Sequence, residues 1–252
     1  MDGKARRMKR ILKEDGRTVI LAFDHGFEHG PAKYENIDIR PERIIEIAQK
    51  GNADAIMVHK GQIQEPVGKL GLIIKITARS SLSPSENEMQ EIVTEVEDAI
   101  AWGADAIALT VYVGAELERL MLRNFAYVYG KCRRYGIPLV GFMYPRGKSV
   151  KERYGEEYVR YAARIGSELN VDIIKTYYPG NKRSWEKVIA GSFKPVVAAG
   201  GALVEDKARI LKIVKDVVDV GGAGVAVGRN VWERKTEEGI RLLRNIAETV
   251  HK

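Results

Sequence analysis

The 252-residue chain has a single cysteine, Cys132. One cysteine excludes an internal disulfide and a cysteine-rich zinc site. It stands in "YGKCRRYG", within a helical pattern, so a structural thiol is expected rather than a nucleophile. Also missing is any run approaching the roughly 18 consecutive apolar residues that a membrane helix needs. The N-terminal stretch "MDGKARRMKRILKEDGR" is basic, but no apolar signal core follows it. Residues 1–17 are therefore expected to form an exposed or helical lead-in, and the chain is expected in the cytoplasm. No linker, low-complexity tract or break in composition interrupts the sequence, which predicts one domain. A basic stripe with interleaved aromatics is absent too, although 41 basic against 34 acidic residues leave a net charge of +7. Charges mixed in this way suit a solvated surface or ion-pair networks. The excess favours a phosphorylated metabolite as partner, with no nucleic acid and no membrane.

Short β-branched runs alternate with longer amphipathic stretches. Eight runs read as strands: "TVILAFDH" (18–25), "DAIMVHKG" (54–61), "LGLIIKIT" (70–77), "ADAIALTVYV" (104–113), "IPLVGFMYP" (137–145), "DIIKTYY" (172–178), "KPVVAAGG" (194–201) and "AGVAVGRN" (223–230). Their nearly continuous apolar character is that of parallel strands buried on both faces. Helical periodicity falls between them, as in "RPERIIEIAQKG", "ENEMQEIVTEVEDAIAWG", "YVRYAARIGSELN", "RSWEKVIAG", "DKARILKIVKDVVDVGG" and "TEEGIRLLRNIAETVH". Gly51, Gly103, Gly136 and Gly191 stand where such stretches should stop. Only the link between the second and third strands lacks a helix. No G-x-G-x-x-G follows the first strand, which disfavours an open doubly wound sheet. The pattern predicts an α/β chain folded as a single-domain (β/α)8 TIM barrel.

Such barrels carry their active sites at the C-terminal ends of the strands. The first strand ends in Asp24, His25, Glu28 and His29, and the second in His59 and Lys60, for which no role is evident. The fifth offers Tyr144 and Arg146, with Lys148 close behind. On the sixth, Lys175 lies between apolar residues and two tyrosines. Burial lowers the pKa of an ammonium, and a neutral amine can attack a carbonyl to form a Schiff base. Lys75 in "GLIIKIT" competes on the same grounds, and the residues alone do not choose between them. The seventh and eighth strands end in Gly200-Gly201 and Gly228-Arg229. Small residues there let backbone N–H groups approach a phosphate, and Arg229 can add a bidentate contact. Arg146 and Lys148 could hold a second anion. Tyr144 could transfer a proton if a nearby cation lowers its pKa, and Asp24 could accept a substrate proton or pair with Lys175. His25, Glu28 and His29 superficially suggest metal ligands. However, Gly26, Gly30 and Pro31 should break a helix, and the glutamate adjoins the second histidine rather than the first. No metal is expected.

"LAFDHGFEHGP", "MYPRGK", "DIIKTYY" and "AVGRNVW", in this order, resemble the archaeal-type class I fructose-1,6-bisphosphate aldolases over nearly the whole chain. A sister group shares the barrel and the lysine: the 2-amino-3,7-dideoxy-D-threo-hept-6-ulosonate synthases. The resemblance implies a Schiff-base aldolase with no cofactor, acting on a phosphorylated sugar. It selects Lys175 over Lys75 as the imine-forming lysine, Tyr144 as the proton-transfer residue, and Asp24 as the catalytic aspartate. His29 in "EHGP" points to the bisphosphate aldolases, whereas "VHKG" at 58–61 looks as much like the synthases. A ring-like homo-oligomer is implied by the same resemblance. One departure stands out. The family commonly reads Ser-Gly-Gly-Pro-Lys after the seventh strand, and this chain reads Ala199-Gly200-Gly201-Ala202-Leu203. Losing one charge-assisted contact removes about 1.5–3 kcal/mol of phosphate binding, unless Lys207 or Arg229 compensates.

Overall fold

A computed structural model describes residues 2–30, 37–82 and 88–252; Pro31 lies outside the described residues. Eight parallel strands close into a barrel: β1 (Thr18–Ala22), β2 (Ala55–Val58), β3 (Gly71–Lys75), β6 (Ala106–Val113), β7 (Leu139–Pro145), β8 (Ile173–Tyr177), β9 (Val196–Ala199) and β10 (Gly224–Val227). All eight predicted strands are present. Helices α3 (Pro41–Lys50), α5 (Glu118–Tyr135), α6 (Glu156–Glu168), α7 (Lys182–Ala190), α8 (Lys207–Asp219) and α10 (Thr236–Val250) intervene, and a short α9 (Arg229–Trp232) follows β10. Between β2 and β3 there is only a 3₁₀ turn, Lys60–Gln62.

Side chains alternate along each strand. Val19, Leu21, Ile56, Val58, Leu72 and Ile74 face the helices. Ile20, Met57, Ile73, Val140, Phe142, Ile173 and Val197 fill the barrel. Two residues beyond Ile73 and Ile173 on the same face stand Lys75 and Lys175, both buried. The packed floor places these lysines at the open end.

The segment "ENEMQEIVTEVEDAIAWG" departs from expectation. A helix, α4, covers only Val96–Ala101, while β5 (Glu91–Ile92) pairs antiparallel with β4 (Thr77–Ala78). Ile92 and Val93 fit the helical period. The segment is instead captured by pairing with the chain leaving β3, where Val93 N–H also donates to the Ile76 carbonyl.

The basic lead-in is helical, α1 (Asp2–Ile11), and it finds its partners inside the chain. Asp54, Asp105 and Asp172 each stand at a strand start and accept a neighbouring strand's N–H, from Val19 (2.7 Å), Leu72 (2.9 Å) and Leu139 (2.8 Å). Lys13, Arg10 and Lys4 meet these same carboxylates at 3.5, 3.2 and 2.6 Å. Ile11 is fully buried against the barrel floor. Cys132 is buried, and burial pushes its thiol up to about 12, as befits a structural residue.

The C-terminal end closes on the same floor. His251 contacts Asp15 at 2.7 Å and Asp54 at 2.9 Å. Burial disfavours its charged form, but the hydrogen bonds and charges of the two carboxylates win, so its pKa is raised. The stability this contributes is complete below the ordinary histidine value of about 6.5 and is lost as pH rises through the higher folded-state value. The melting-temperature difference between wild type and His251→Ala should therefore shrink as pH rises above about 6.5. A difference that grew with pH would contradict this contact.

Candidate active site

The strand ends enclose a cavity of about 320 Å³. Asp24, His29, Tyr144, Arg146, Lys175, Gly200, Gly201, Gly228 and Arg229, drawn from five strand ends, all line it. Lys148 does not reach it. It is largely exposed and sits 3.6 Å from Glu116. Lys207 is likewise engaged elsewhere, with its ammonium 2.7 Å from Glu238 on α10, so it supplies no charge to the loop after β9.

The two lysines differ in what holds them. The Lys75 ammonium donates to the Thr77 carbonyl (2.7 Å) and to Gln90 Oε1 (2.5 Å). That of Lys175 lies 4.0 Å from the centroid of the Phe142 ring, with no hydrogen-bond acceptor among the described residues. Burial pushes the Lys175 pKa down, against the opposing charge of Asp24. Burial pushes Lys75 down as well, to about 8, against the charges of Asp24 and Glu28. An ammonium without acceptors gives up its proton more readily than an anchored one. The geometry thus separates two lysines that the residue pattern could not.

Asp24 closes β1. Burial would raise its pKa, but Lys175, His25, Lys75 and His59 outweigh it, and the carboxyl is held below the usual range. His25 Nδ1 lies 3.5 Å from Asp24 Oδ1, and burial holds that imidazole down to about 4. Residues His25–His29 form a one-turn helix, α2, which corrects the expectation that Gly26 would break one. The turn ends at Gly30, at φ 70°. It stacks the His25 and His29 rings, with centroids 6.3 Å apart. Gly228 shows why β10 ends in glycine: a Cβ there would meet the Ala22 carbonyl at 2.6 Å and His25 Cε1 at 2.7 Å.

Tyr144 stacks on Tyr177, with centroids 4.4 Å apart and planes at 15°. Its pKa is raised well above the usual value by burial, with Tyr177 and Asp24 adding to the effect. The sequence reading expected a lowered value from a nearby cation. Arg146 does pull that way but is outweighed, so the phenol is held in its proton-donating form. Arg146 donates to Tyr177 Oη at 3.1 Å and lies over the Tyr112 ring, and Glu28 and Glu88 approach it to 3.6 and 3.7 Å. Of the two residues without an evident role, His59 contacts the Lys75 carbonyl through Nδ1 at 3.0 Å, and the Lys60 ammonium donates to the Val93 carbonyl at 2.7 Å. Both tie the wall together.

Opposite, the loop after β9 turns at Gly201, whose φ of 68° favours glycine. Arg229 donates to the Gly201 carbonyl at 3.1 Å. Asn230, buried and unnoticed in the sequence, pins this loop. Its amide donates to the carbonyls of Gly200 (2.7 Å) and Ala202 (2.9 Å) and accepts from Val204 N–H (2.7 Å). Asn230→Ala should cost about 2–4 kcal/mol of stability in denaturant unfolding. It should also speed amide exchange at Val204; unchanged exchange would count against the pin. Arg153 and Tyr154 also line the cavity. They lie past the motif that flags Arg146, and Tyr154 is carried in by packing on Tyr177 (4.8 Å).

Comparison with known proteins bears on this arrangement. Residues 18–234 match the DeoC/LacD family of aldolases. The chain is 40% identical over 255 residues to 2-amino-3,7-dideoxy-D-threo-hept-6-ulosonate synthase 1 of Archaeoglobus fulgidus, covering 100% of this chain and 92% of that one. It is 35% identical over 247 residues to the class 1 fructose-bisphosphate aldolase of Thermoproteus tenax, covering 96% and 92%. Among solved structures, it superposes at a TM-score of 0.93 on an archaeal fructose-1,6-bisphosphate aldolase whose catalytic lysine is covalently bound to the carbinolamine intermediate of the substrate. That pair shares 32% identity and covers 99% and 100% of the two chains.

Proposed function

Because the chain belongs to the DeoC/LacD family of aldolases, we propose that it is a Schiff-base aldolase that reversibly cleaves fructose 1,6-bisphosphate, with Lys175 forming the imine. The observation that carries this reading is the state of Lys175: buried against Phe142, without a hydrogen-bond acceptor among the described residues, and opening onto the cavity.

The substrate enters with one phosphate over Gly200, Gly201, Gly228 and Arg229, where the pinned loop presents its backbone. Neutral Lys175 attacks the C2 ketone. Tyr144 supplies the proton with which the carbinolamine hydroxyl leaves as water, giving the iminium. The positive nitrogen then draws the C3–C4 bonding electrons as the C4 hydroxyl proton passes to Asp24 or His29, and glyceraldehyde 3-phosphate departs. Tyr144, reprotonated from solvent after the dehydration step, protonates the resulting enamine at C3, and hydrolysis releases dihydroxyacetone phosphate. Until the C4 proton transfer, the ionised Asp24 puts a negative charge beside the nitrogen, which stabilises the iminium. Arg146 takes the far phosphate in this reading.

The surroundings of Arg146 favour a second substrate assignment for the same chemistry. Glu28 and Glu88 already compensate its charge, which disfavours a dianionic phosphate. An acceptor end bearing both an ammonium and a carboxylate fits such a mixed cluster better. That is the chemistry in the name of the 2-amino-heptulosonate synthase that this chain resembles. The deciding experiment supplies the purified protein with fructose 1,6-bisphosphate and follows triose phosphate release. In parallel, it offers several aldehydes, one an amino-acid semialdehyde, with product identification by mass spectrometry. Triose phosphate release at catalytic rates supports the bisphosphate reading. An amine-bearing ketose as the sole product transfers the assignment to the synthase. A cytoplasmic homo-oligomer serving glycolysis or gluconeogenesis is the setting that the first outcome implies.

A further inference from the structure

A bound phosphate is held by N–H donors and by positive charge. The loop after β9 has the first in its backbone, but residues 199–205, Ala-Gly-Gly-Ala-Leu-Val-Glu, carry no side-chain hydroxyl and no cation. Lys207, just beyond, is held by Glu238. The charge has to come from elsewhere on the cavity wall, where most cations are engaged. Lys75 is tied to the Thr77 carbonyl and to Gln90. Arg146 bonds Tyr177 Oη and has Glu28 and Glu88 beside it. Lys175 carries the covalent chemistry, and Arg229 donates to the Gly201 carbonyl. Arg153 differs from all of these. It lines the same cavity, and it has no hydrogen bond and no ion pair among the described residues. Its guanidinium carbon lies 5.2 Å from the centroid of the Tyr154 ring. Stacking engages the flat face of a guanidinium and leaves its N–H edge free for an anion.

The same stack fixes where that edge stands. Tyr154 packs on Tyr177, with centroids 4.8 Å apart, and Tyr177 is the register partner of Ala199 across β8 and β9. Tyr154, Tyr177 and residues 199–202 line the catalytic cavity on one side and a second hollow on the other, so they form one continuous wall. The charge of Arg153 is felt in this wall: burial raises the Tyr177 pKa, and Arg146 and Arg153 pull against it. The loop between β7 and α6 thus carries a free guanidinium to the rim of the uncharged loop after β9.

We propose that Arg153 is a substrate-binding residue: its guanidinium takes the phosphate presented by the loop after β9, and so supplies the charge that this loop lacks. This rests on the phosphosugar reading of the site. The phosphate then has backbone N–H groups beneath it, Arg229 on the β10 side and Arg153 on the β8 side.

The test compares ligands with and without the phosphate. Residue 153 is exposed, so Arg153→Gln should fold normally. Wild type and variant are trapped with borohydride over a range of concentrations of dihydroxyacetone phosphate or of dihydroxyacetone. The preference for the phosphorylated ketone, as the ratio of half-saturating concentrations, should fall by about 10- to 100-fold in Arg153→Gln. An unmoved preference overturns the proposal. So does a variant that keeps this preference but loses discrimination between glyceraldehyde 3-phosphate and glyceraldehyde in the condensation direction, because that places Arg153 at the opposite end of the substrate. A second measurement needs no imine: calorimetric binding of glycerol 3-phosphate, which has the phosphate but no ketone. Its Kd should rise in Arg153→Gln by a similar factor, and equal Kd values in the two proteins overturn the proposal. A wild-type protein that binds glycerol 3-phosphate through Arg153 but forms no adduct with dihydroxyacetone phosphate counts against the imine assignment alone, which keeps the two failures apart.

Discussion

Lys175→Met should abolish turnover, with kcat/KM falling by at least about 10⁴-fold, because the covalent step is lost with its amine and Lys75 is tied to Thr77 and Gln90. Methionine approximates the length and shape of the lysine stem, and residue 175 is only 4% exposed. Removing an amine that burial already disfavours should leave stability unchanged or higher. The pairing of lost activity with retained or raised unfolding midpoint is the signature to look for in steady-state assays and denaturant titration. An active Lys175→Met protein would move the reaction to an imine-free class, such as a phosphosugar isomerase or epimerase.

Tyr144→Phe should lower kcat by about 10²–10⁴-fold, the range expected for a positioned proton donor. The ring itself is retained, so its stacking on Tyr177 and its edge contact with Phe142 (5.8 Å) survive. KM should therefore change little. Because burial holds the phenol in its neutral form, the wild-type rate should show no alkaline limb from this group near neutral pH. The variant should still bind ketose but exchange its C3 proton with solvent slowly, which deuterium uptake into dihydroxyacetone phosphate measures. Fast exchange with slow cleavage would place the C3 proton transfer on another residue, with Asp24 and His29 the nearest alternatives.

Much of this site was legible because a parallel barrel turns sequence order into spatial order. Each apolar run ends at the same rim, so Asp24, Tyr144, Arg146, Lys175 and the glycine pairs could be read as neighbours from the ends of their strands alone. The alternation of strand side chains carries further, since it places Lys75 and Lys175 on the inner face without any coordinates. Legibility failed where a long-range contact overrode a local pattern. Residues 88–95 carry part of a helical period, but pairing with Thr77–Ala78 makes a hairpin of them, and the hairpin supplies Gln90. Asn230 read as ordinary polar sequence after Arg229, and only the fold shows it holding a loop 30 residues away. The sequence suggests a lowered pKa for Tyr144, from a cationic centre beside the phenol. Its environment is set by Tyr177 and by burial, which sequence proximity does not report. The His25–His29 turn shows the same limit at short range: a glycine at position 26 weakens a helix without forbidding a single turn that packing stabilises.

The central claim is that Lys175 is a neutral, imine-forming amine, and borohydride trapping addresses it most directly. The protein is incubated with dihydroxyacetone phosphate and EDTA, reduced, digested and mapped by mass spectrometry. The account predicts one stable adduct, on Lys175, lost in Lys175→Met and retained in Tyr144→Phe. An adduct on Lys75 would keep the reaction class but reverse the roles of the two lysines, and no adduct despite measurable ligand binding would contradict the account outright.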